Sequence, residues 1–199
     1  MRVLIITPTR FPALTGNATD VHRIVLGLQK YDMKVHVLTP DEIDTAFFPD
    51  IIHIFNAYKC RHALKLNRPM ITTMTGTDIN IDMHEKHDDI ASVLQRSSAV
   101  TFMNNAAYDA VRKQFPFYTS KFHVIGRSGA VINDSIFNFR KAFNISSNAH
   151  VFTVIGGIRP VKNSLFPVAL LQKLRSRYPR IILAYVGANL DDEIVECYH

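Results

Sequence analysis

Apolar residues fall along the chain in short runs separated by longer stretches of mixed character. The runs Val3–Ile6, Val35–Leu38, Ile51–Phe55, Met70–Met74, Ala99–Met103 and His123–Ile125 have the length and composition of buried strands. Between the first two, Val21, Ile24, Val25 and Leu28 recur at i, i+3, i+4 and i+7, which predicts a helix with one apolar face. The segments from His84 to Arg96 and from Asn105 to Gln114 are predicted helices, the second ending before Pro116. Strands alternating with helices of this length predict an α/β fold with a parallel sheet, because parallel neighbours need a crossover between them.

The alternation lapses from Gly126 to His150, "GRSGAVINDSIFNFRKAFNISSNAH", a polar, turn-rich stretch that reads as an interdomain connection. It then restarts with a strand over Val151–Ile155, a helix over Asn163–Arg177 and a strand over Ile181–Val186. Pro167 falls near the start of that helix, where its missing N–H costs little. The pattern therefore predicts a first domain over 1–148 and the opening β-α-β unit of a second, incomplete domain over 149–199. Two strands and a helix cannot cover both faces of a parallel sheet, so this second region is expected to expose apolar surface unless it packs on the first domain or a partner chain completes it.

Composition narrows the class without naming a function. The chain has 199 residues, 47% of them apolar, enough for a full core. Its first apolar run is too short for a signal peptide or a membrane span, which gives cytoplasmic residence as the expectation. Cys60 and Cys197 match no metal or redox spacing and read as reduced thiols. The net charge of +6 is spread along the chain with no basic run interleaved with aromatics, so nucleic acid is not an expected partner. An anionic small molecule, or simply a basic surface, accounts for it equally.

Three stretches sit where a parallel sheet presents ligands, beyond the carboxyl ends of its strands. "TGNATD" follows the first strand; Thr15 and Asn17 are cap candidates, and Gly16 allows a close backbone approach, although a plain turn explains the same glycine. "TGTDIN" follows the fourth strand. Thr75, Gly76, Thr77 and Asp78 gather hydroxyls and a carboxylate suited to a polyol, unless Thr77 or Asp78 only caps the next helix. The third, "GGIRPVKNS", puts Gly156 and Gly157 at a strand end, with Arg159 and Lys162 just before a helix. Two cations at a helix start work against the helix dipole, which points instead to a bound anion such as a departing diphosphate. His84 and His87 are spaced i, i+3 among acids, but no H-E-x-x-H is present and a solvated face accounts for them. G-x-S-x-G, G-x-x-x-x-G-K-[ST] and G-x-G-x-x-G are absent from the chain, against hydrolase, P-loop and nicotinamide readings.

Taken together, "TGNATDVHRIVLGL", "TGTDIN", "GRSGAVIN" and "GGIRPVKNSLFPVALLQKLRSRYPRIILAYVG" resemble glycosyltransferase family 4. Within it they are most similar to the branch of glycosyltransferase 1 domain-containing protein 1 and the selenosugar synthases. The resemblance covers nearly the whole chain in order. It implies a GT-B-like fold, an N-terminal acceptor-side Rossmann-like domain followed by a nucleotide-sugar-binding one, and retaining transfer from a nucleotide diphosphate sugar, in this family often UDP-linked. It implies no metal and no cofactor beyond that donor. Lys162 and Arg159 would stabilise the departing diphosphate as the catalytic pair, with Gly156 and Gly157 beside it. Gly16, Asn17, Thr75, Gly76, Thr77 and Asp78 would meet donor phosphates or acceptor. Thr75 stands where many members carry His, and Gly157 where most carry Arg. The paired glutamates that hold the donor's ribose and sugar in the family are not found before His199, so the resemblance implies an incomplete form. The alternative is a non-catalytic sugar- or protein-binding module with a degenerate Rossmann-like fold.

Overall fold

The computed structural model describes residues 1–43, 48–127, 136–158 and 162–187. The chain divides into two compact units, Met1–Ile132 and Asn133–His199.

The first unit opens with β1 (Arg2–Ile6), α1 (Gly16–Gln29), β2 (Lys34–Leu38), β3 (Ile51–Phe55) and β4 (Met70–Thr73). A π-helical segment, Asp78–Asp82, leads into α2 (Met83–Glu85) and α3 (His87–Arg96), and β5 (Ala99–Phe102), α4 (Asn105–Gln114) and β6 (Phe122–Val124) complete it. The strands form one six-stranded sheet in the order β2-β1-β3-β4-β5-β6, and every pairing is parallel. The order turns back at β1, leaving β1 and β3 at the point where ligands lodge in such sheets.

Strand alternation sends neighbouring side chains to opposite faces. Leu4, Ile6, Ile52, Ile54, Val100 and Phe102 form one face and pack with Ile90, Val93 and Leu94 of α3 and Val111 of α4. Val3, Ile5 and Phe55 form the other and pack with Val21, Ile24, Val25 and Leu28 of α1, the residues whose spacing predicted that helix. Cys60, just after β3, is buried, and its thiol donates to the carbonyls of Phe55 at 3.0 Å and Ile6 at 3.5 Å.

One predicted helix is broken. The segment from His84 to Arg96 is interrupted at Lys86, whose φ of −128° and ψ of 41° leave the helical region. The break separates His84 from His87, whose ring stacks on Phe115 at 4.5 Å. Among the described residues no cluster of His, Cys, Asp or Glu has the makings of a metal site.

The second unit contains α5 (Phe139–Ala142), β7 (His150–Ile155), α6 (Phe166–Leu174) and β8 (Ile181–Val186). β7 and β8 pair in parallel from His150↔Ile181 to Ile155↔Val186. The helix is shorter than the pattern predicted. Asn163 takes a left-handed φ of 47°, which no helix continues through, so α6 starts after it with Pro167 in its first turn. Among the described residues no helix is long and apolar enough to cross a membrane.

Candidate functional site

At the carboxyl end of β1 the chain runs through Thr7 to Thr15, and α1 begins. Thr15 is the N-cap: its hydroxyl accepts from the Ala18 N–H at 3.2 Å and contacts the Thr9 hydroxyl. Asn17, also a cap candidate in the sequence, lies inside the helix instead. Gly16 is exposed, and a Cβ added there would meet nothing within 4 Å. The protein itself makes no steric demand for glycine at this position.

After β4, Thr75-Gly76-Thr77-Asp78 forms a tight knot. The Asp78 carboxylate is fully buried and accepts from the Thr75 N–H at 2.6 Å, the Thr75 hydroxyl at 2.9 Å and the Ala57 N–H at 2.7 Å. The Ile79 N–H donates to the Thr75 carbonyl at 3.2 Å, so Thr75 and Asp78 stand as N-cap and third residue of a helical start, Asp78 reaching back as in a capping box. Asn56, held at φ 76°, donates its side-chain amide to the Thr75 hydroxyl at 3.2 Å. Burial pushes the Asp78 carboxyl up to about 7, against the hydrogen bonds, those from Ala57 and Thr75 foremost, that favour its charge.

Of the two sequence readings of the motif, ligand contact or helix cap, the hydrogen bonds show the cap: Thr75 and Asp78 bond one another and hold the turn, while Thr75 also lines a cavity. Gly76, Thr77 and Asn80 form the exposed side of the turn. The turn continues as the π-helical Asp78–Asp82, a local widening that recurs at functional sites.

A cavity of about 460 Å³ lies over this turn at the carboxyl ends of β4 and β5. Thr75, Gly76 and Asn80 line one wall, Asn104 and Ala107 another, and Arg127 a third. Asn104 caps α4 by accepting from the Ala107 N–H at 2.8 Å, which leaves its amide N–H₂ free to donate. Among the described lining residues there is no carboxylate. The cavity therefore offers donors and a cation to a ligand rich in oxygen acceptors.

A second cavity, of about 320 Å³, opens on the α1 face of the same sheet. His53, Thr73 and Thr101, on β3, β4 and β5, form a row within it: His53 Nε2 lies 2.7 Å from Thr73 Oγ1, itself 2.7 Å from Thr101 Oγ1. Burial holds the His53 imidazole neutral, its pKa lowered to about 4. Asp20 and Arg23 of α1 and Arg127 complete the polar part of the lining, with Arg127 Nη2 2.7 Å from Asp20 Oδ2. Burial raises the Asp20 pKa, and the two guanidiniums oppose that shift. Sequence reasoning missed all six of these residues. The signal was present as polar side chains at alternate positions within apolar strands, but only the register Phe55↔Thr73↔Thr101 gathers them on one face.

In the second unit, Gly156 has a φ of 138°, open to glycine and strained for other residues, and its N–H donates to the Val186 carbonyl at 2.9 Å. A Cβ on Gly187 would lie 2.1 Å from the Gly156 carbonyl oxygen, so the ends of β7 and β8 converge only because Gly187 has no side chain. Lys162 is exposed, and the segment after it is clamped by the Tyr185 hydroxyl donating to the Ser164 carbonyl at 2.7 Å. Gly157 is half-buried beside Gly156. Arg159 lies outside the described residues.

Known structures share this arrangement of elements. A complex of Anabaena Alr3699/HepE with UDP and glucose matches with a TM-score of 0.59 at 15% identity, over 98% of this chain and 63% of that one. A UDP complex of S. aureus MnaA matches with a TM-score of 0.61 at 11% identity, over 98% of this chain and 64% of that one. The fold is α/β and GT-B-like. No family model matches the chain. In sequence it is similar to glycosyltransferase 1 domain-containing protein 1 of Xenopus tropicalis, 25% identical over 209 residues, which is 96% of this chain and 60% of that protein. The chain thus spans about 60% of the length of this curated relative.

Proposed function

We propose that the chain is the acceptor-side part, with the opening of the donor-side part, of a retaining glycosyltransferase that uses a nucleotide diphosphate sugar. The observation that carries this reading is the cavity over the Thr75–Asp78 turn. Its polar lining is Thr75, two amides and Arg127, with no carboxylate among the described residues, at the sheet edge where α/β folds take ligands. Similarity to a glycosyltransferase 1 domain-containing protein along 96% of the chain, and to UDP-bound structures in fold, supports nucleotide-sugar chemistry over other uses of such a cavity.

In this reading Gly76, Thr77, Asn80 and Asn104 receive the acceptor's hydroxyls, and Thr75 and Asp78 keep that surface in place from beneath. Gly16 and Asn17, at the start of α1, leave room for donor phosphate or acceptor. In the second unit Gly156 and Gly157 give backbone access, and Lys162 and Arg159 neutralise the diphosphate as it departs. The proposal assigns the chain to glycosyltransferase family 4, in the branch of the glycosyltransferase 1 domain-containing proteins and selenosugar synthases. A UDP-linked sugar is the expected donor, because UDP or UDP-glucose occupies the neighbours of known structure.

Transfer from UDP-glucose and binding of UDP, each compared between the parent protein and Lys162→Ala, test the assignment. Removing one charged contact to the leaving group is expected to cost ~2–4 kcal/mol in the transition state. Rates and affinities within a few-fold of the parent would show that Lys162 does not face a diphosphate.

A further inference from the structure

The cavity on the α1 face has a charge and hydrogen-bonding pattern that the acceptor reading does not use. Asp20, Arg23 and Arg127 line it. Burial raises the Asp20 pKa and the two guanidiniums oppose that shift; even when charged, one carboxylate cannot neutralise two cations. The group carries surplus positive charge in a largely apolar lining. Arg23 Nε is buried and has no hydrogen-bond partner, an orphan donor of the kind native proteins rarely leave unmatched. Across the cavity the row His53–Thr73–Thr101 ends at the Thr101 hydroxyl. Thr73 bonds on both sides, whereas Thr101 Oγ1 bonds Thr73 and keeps further capacity. Ile24, Ile71, Phe102 and Ile125 supply the apolar remainder.

We propose that this cavity is a second ligand site, for a small monoanion with an apolar body, a carboxylate being the simplest case. Its anionic head takes the surplus charge of Arg23 and Arg127 and the free end of the threonine row; its body lies along Ile24, Ile71 and Ile125. A negative charge offsets that surplus, and a carboxylate has the acceptor sites to receive Arg23 Nε and the Thr101 hydroxyl together. A volume of about 320 Å³ admits a molecule the size of a substituted benzoate. Arg127 also lines the acceptor cavity, so occupancy of one is felt at the other through that side chain. The inference does not depend on the glycosyltransferase reading.

The test uses the 199-residue chain with benzoate as probe and benzamide as its neutral counterpart, each titrated while NMR follows the His53 ring and the Ile71 and Ile125 methyls. Benzoate is expected to shift these signals saturably and to bind about tenfold more tightly than benzamide, the worth of one hydrogen bond to a charged group. Arg23→Met, which keeps an apolar stem, is expected to remove that difference while leaving benzamide unchanged. Thr101→Val serves as a second variant should Arg23→Met fail to fold, with the same expectation in smaller degree. Equal affinity for benzoate and benzamide, a benzoate affinity unaffected by the substitutions, or no saturable shift of His53 would each overturn the proposal. UDP binding, measured alongside, belongs to the other site: its failure would strike the glycosyltransferase reading and leave this one standing.

Discussion

Strands β3 and β7 are both apolar and both parallel-paired, yet they meet solvent very differently. Ile52 and Ile54 of β3 are fully buried, whereas Phe152 and Ile155 of β7 are 45% and 81% exposed. The difference lies in their neighbours. β3 sits between β1 and β4, with a core cluster on each face, while among the described residues β7 has β8 beside it and α6 as its helix. An apolar run thus predicts a strand, but burial of that strand depends on how many other elements flank it. The polar turns differ in parallel. In the first unit Asp78 and Thr75 face inward and are satisfied by the protein; in the second Lys162 faces outward.

The contrast is broken most directly by truncating one residue on each side. Ile54→Ala is expected to cost ~2–5 kcal/mol and Phe152→Ala less than about 1 kcal/mol, both read from urea unfolding followed by circular dichroism. Similar costs would mean that β7 is covered in solution.

Glycine gives the next largest effect. Gly187→Ala forces a methyl into the Gly156 carbonyl and is expected to cost ~1–3 kcal/mol, confined to the second unit. Hydrogen exchange should accelerate in β7 and β8 while the six-stranded sheet keeps its protection. Acceleration in both units would show that they unfold as one.

Asp78→Asn comes third, at ~1–3 kcal/mol, because an amide cannot accept from both Thr75 and Ala57 without turning its own N–H₂ toward a donor. Its pH dependence is the sharper readout. Since the folded pKa is raised to about 7, the linked stabilisation is fully present below the ordinary value of 3.8 and is lost as pH rises through 7. The penalty of Asp78→Asn should therefore be larger near about pH 5 than near about pH 8. His53 acts in the opposite sense. Its folded pKa of about 4 gives stability above its ordinary 6.5 that is lost as pH falls through 4, so only the difference between parent and variant isolates Asp78.

The smallest stability effects belong to Gly16→Ala and Lys162→Ala, both expected within about ±0.5 kcal/mol of the parent by thermal unfolding. A clear loss at either would assign it a packing role. Unchanged stability with weakened UDP binding would sharpen the view that these positions are kept for a ligand.

The strands were legible because buried parallel strands carry continuous apolar runs, and α1 because Val21, Ile24, Val25 and Leu28 share a face. The break at Lys86 and the left-handed Asn163 were not, since neither is marked by a glycine or a proline. The turns at the sheet's carboxyl edge were legible where backbone chemistry announces itself, at Thr15-Gly16 and at Thr75 to Asp78. The site was illegible where long-range register does the gathering: His53, Thr73 and Thr101 are far apart in the chain and become neighbours only through strand pairing. The direction of the Asp78 side chain is a case between these. Its spacing from Thr75 allowed a helix cap or a ligand contact, and Ala57, twenty-one positions earlier, decides for the cap.

Cys60 turns the first unit into its own timer. Its thiol lies buried against the carbonyls of Ile6 and Phe55, and burial together with the nearby Asp78 pushes its pKa up to about 12. The thiolate is the form that alkylating reagents attack, so in the closed sheet this sulfur is chemically silent. Each modification event then records an excursion in which β1 and β3 part from the helix-covered side, and the rate of Cys60 alkylation reads out how often that happens.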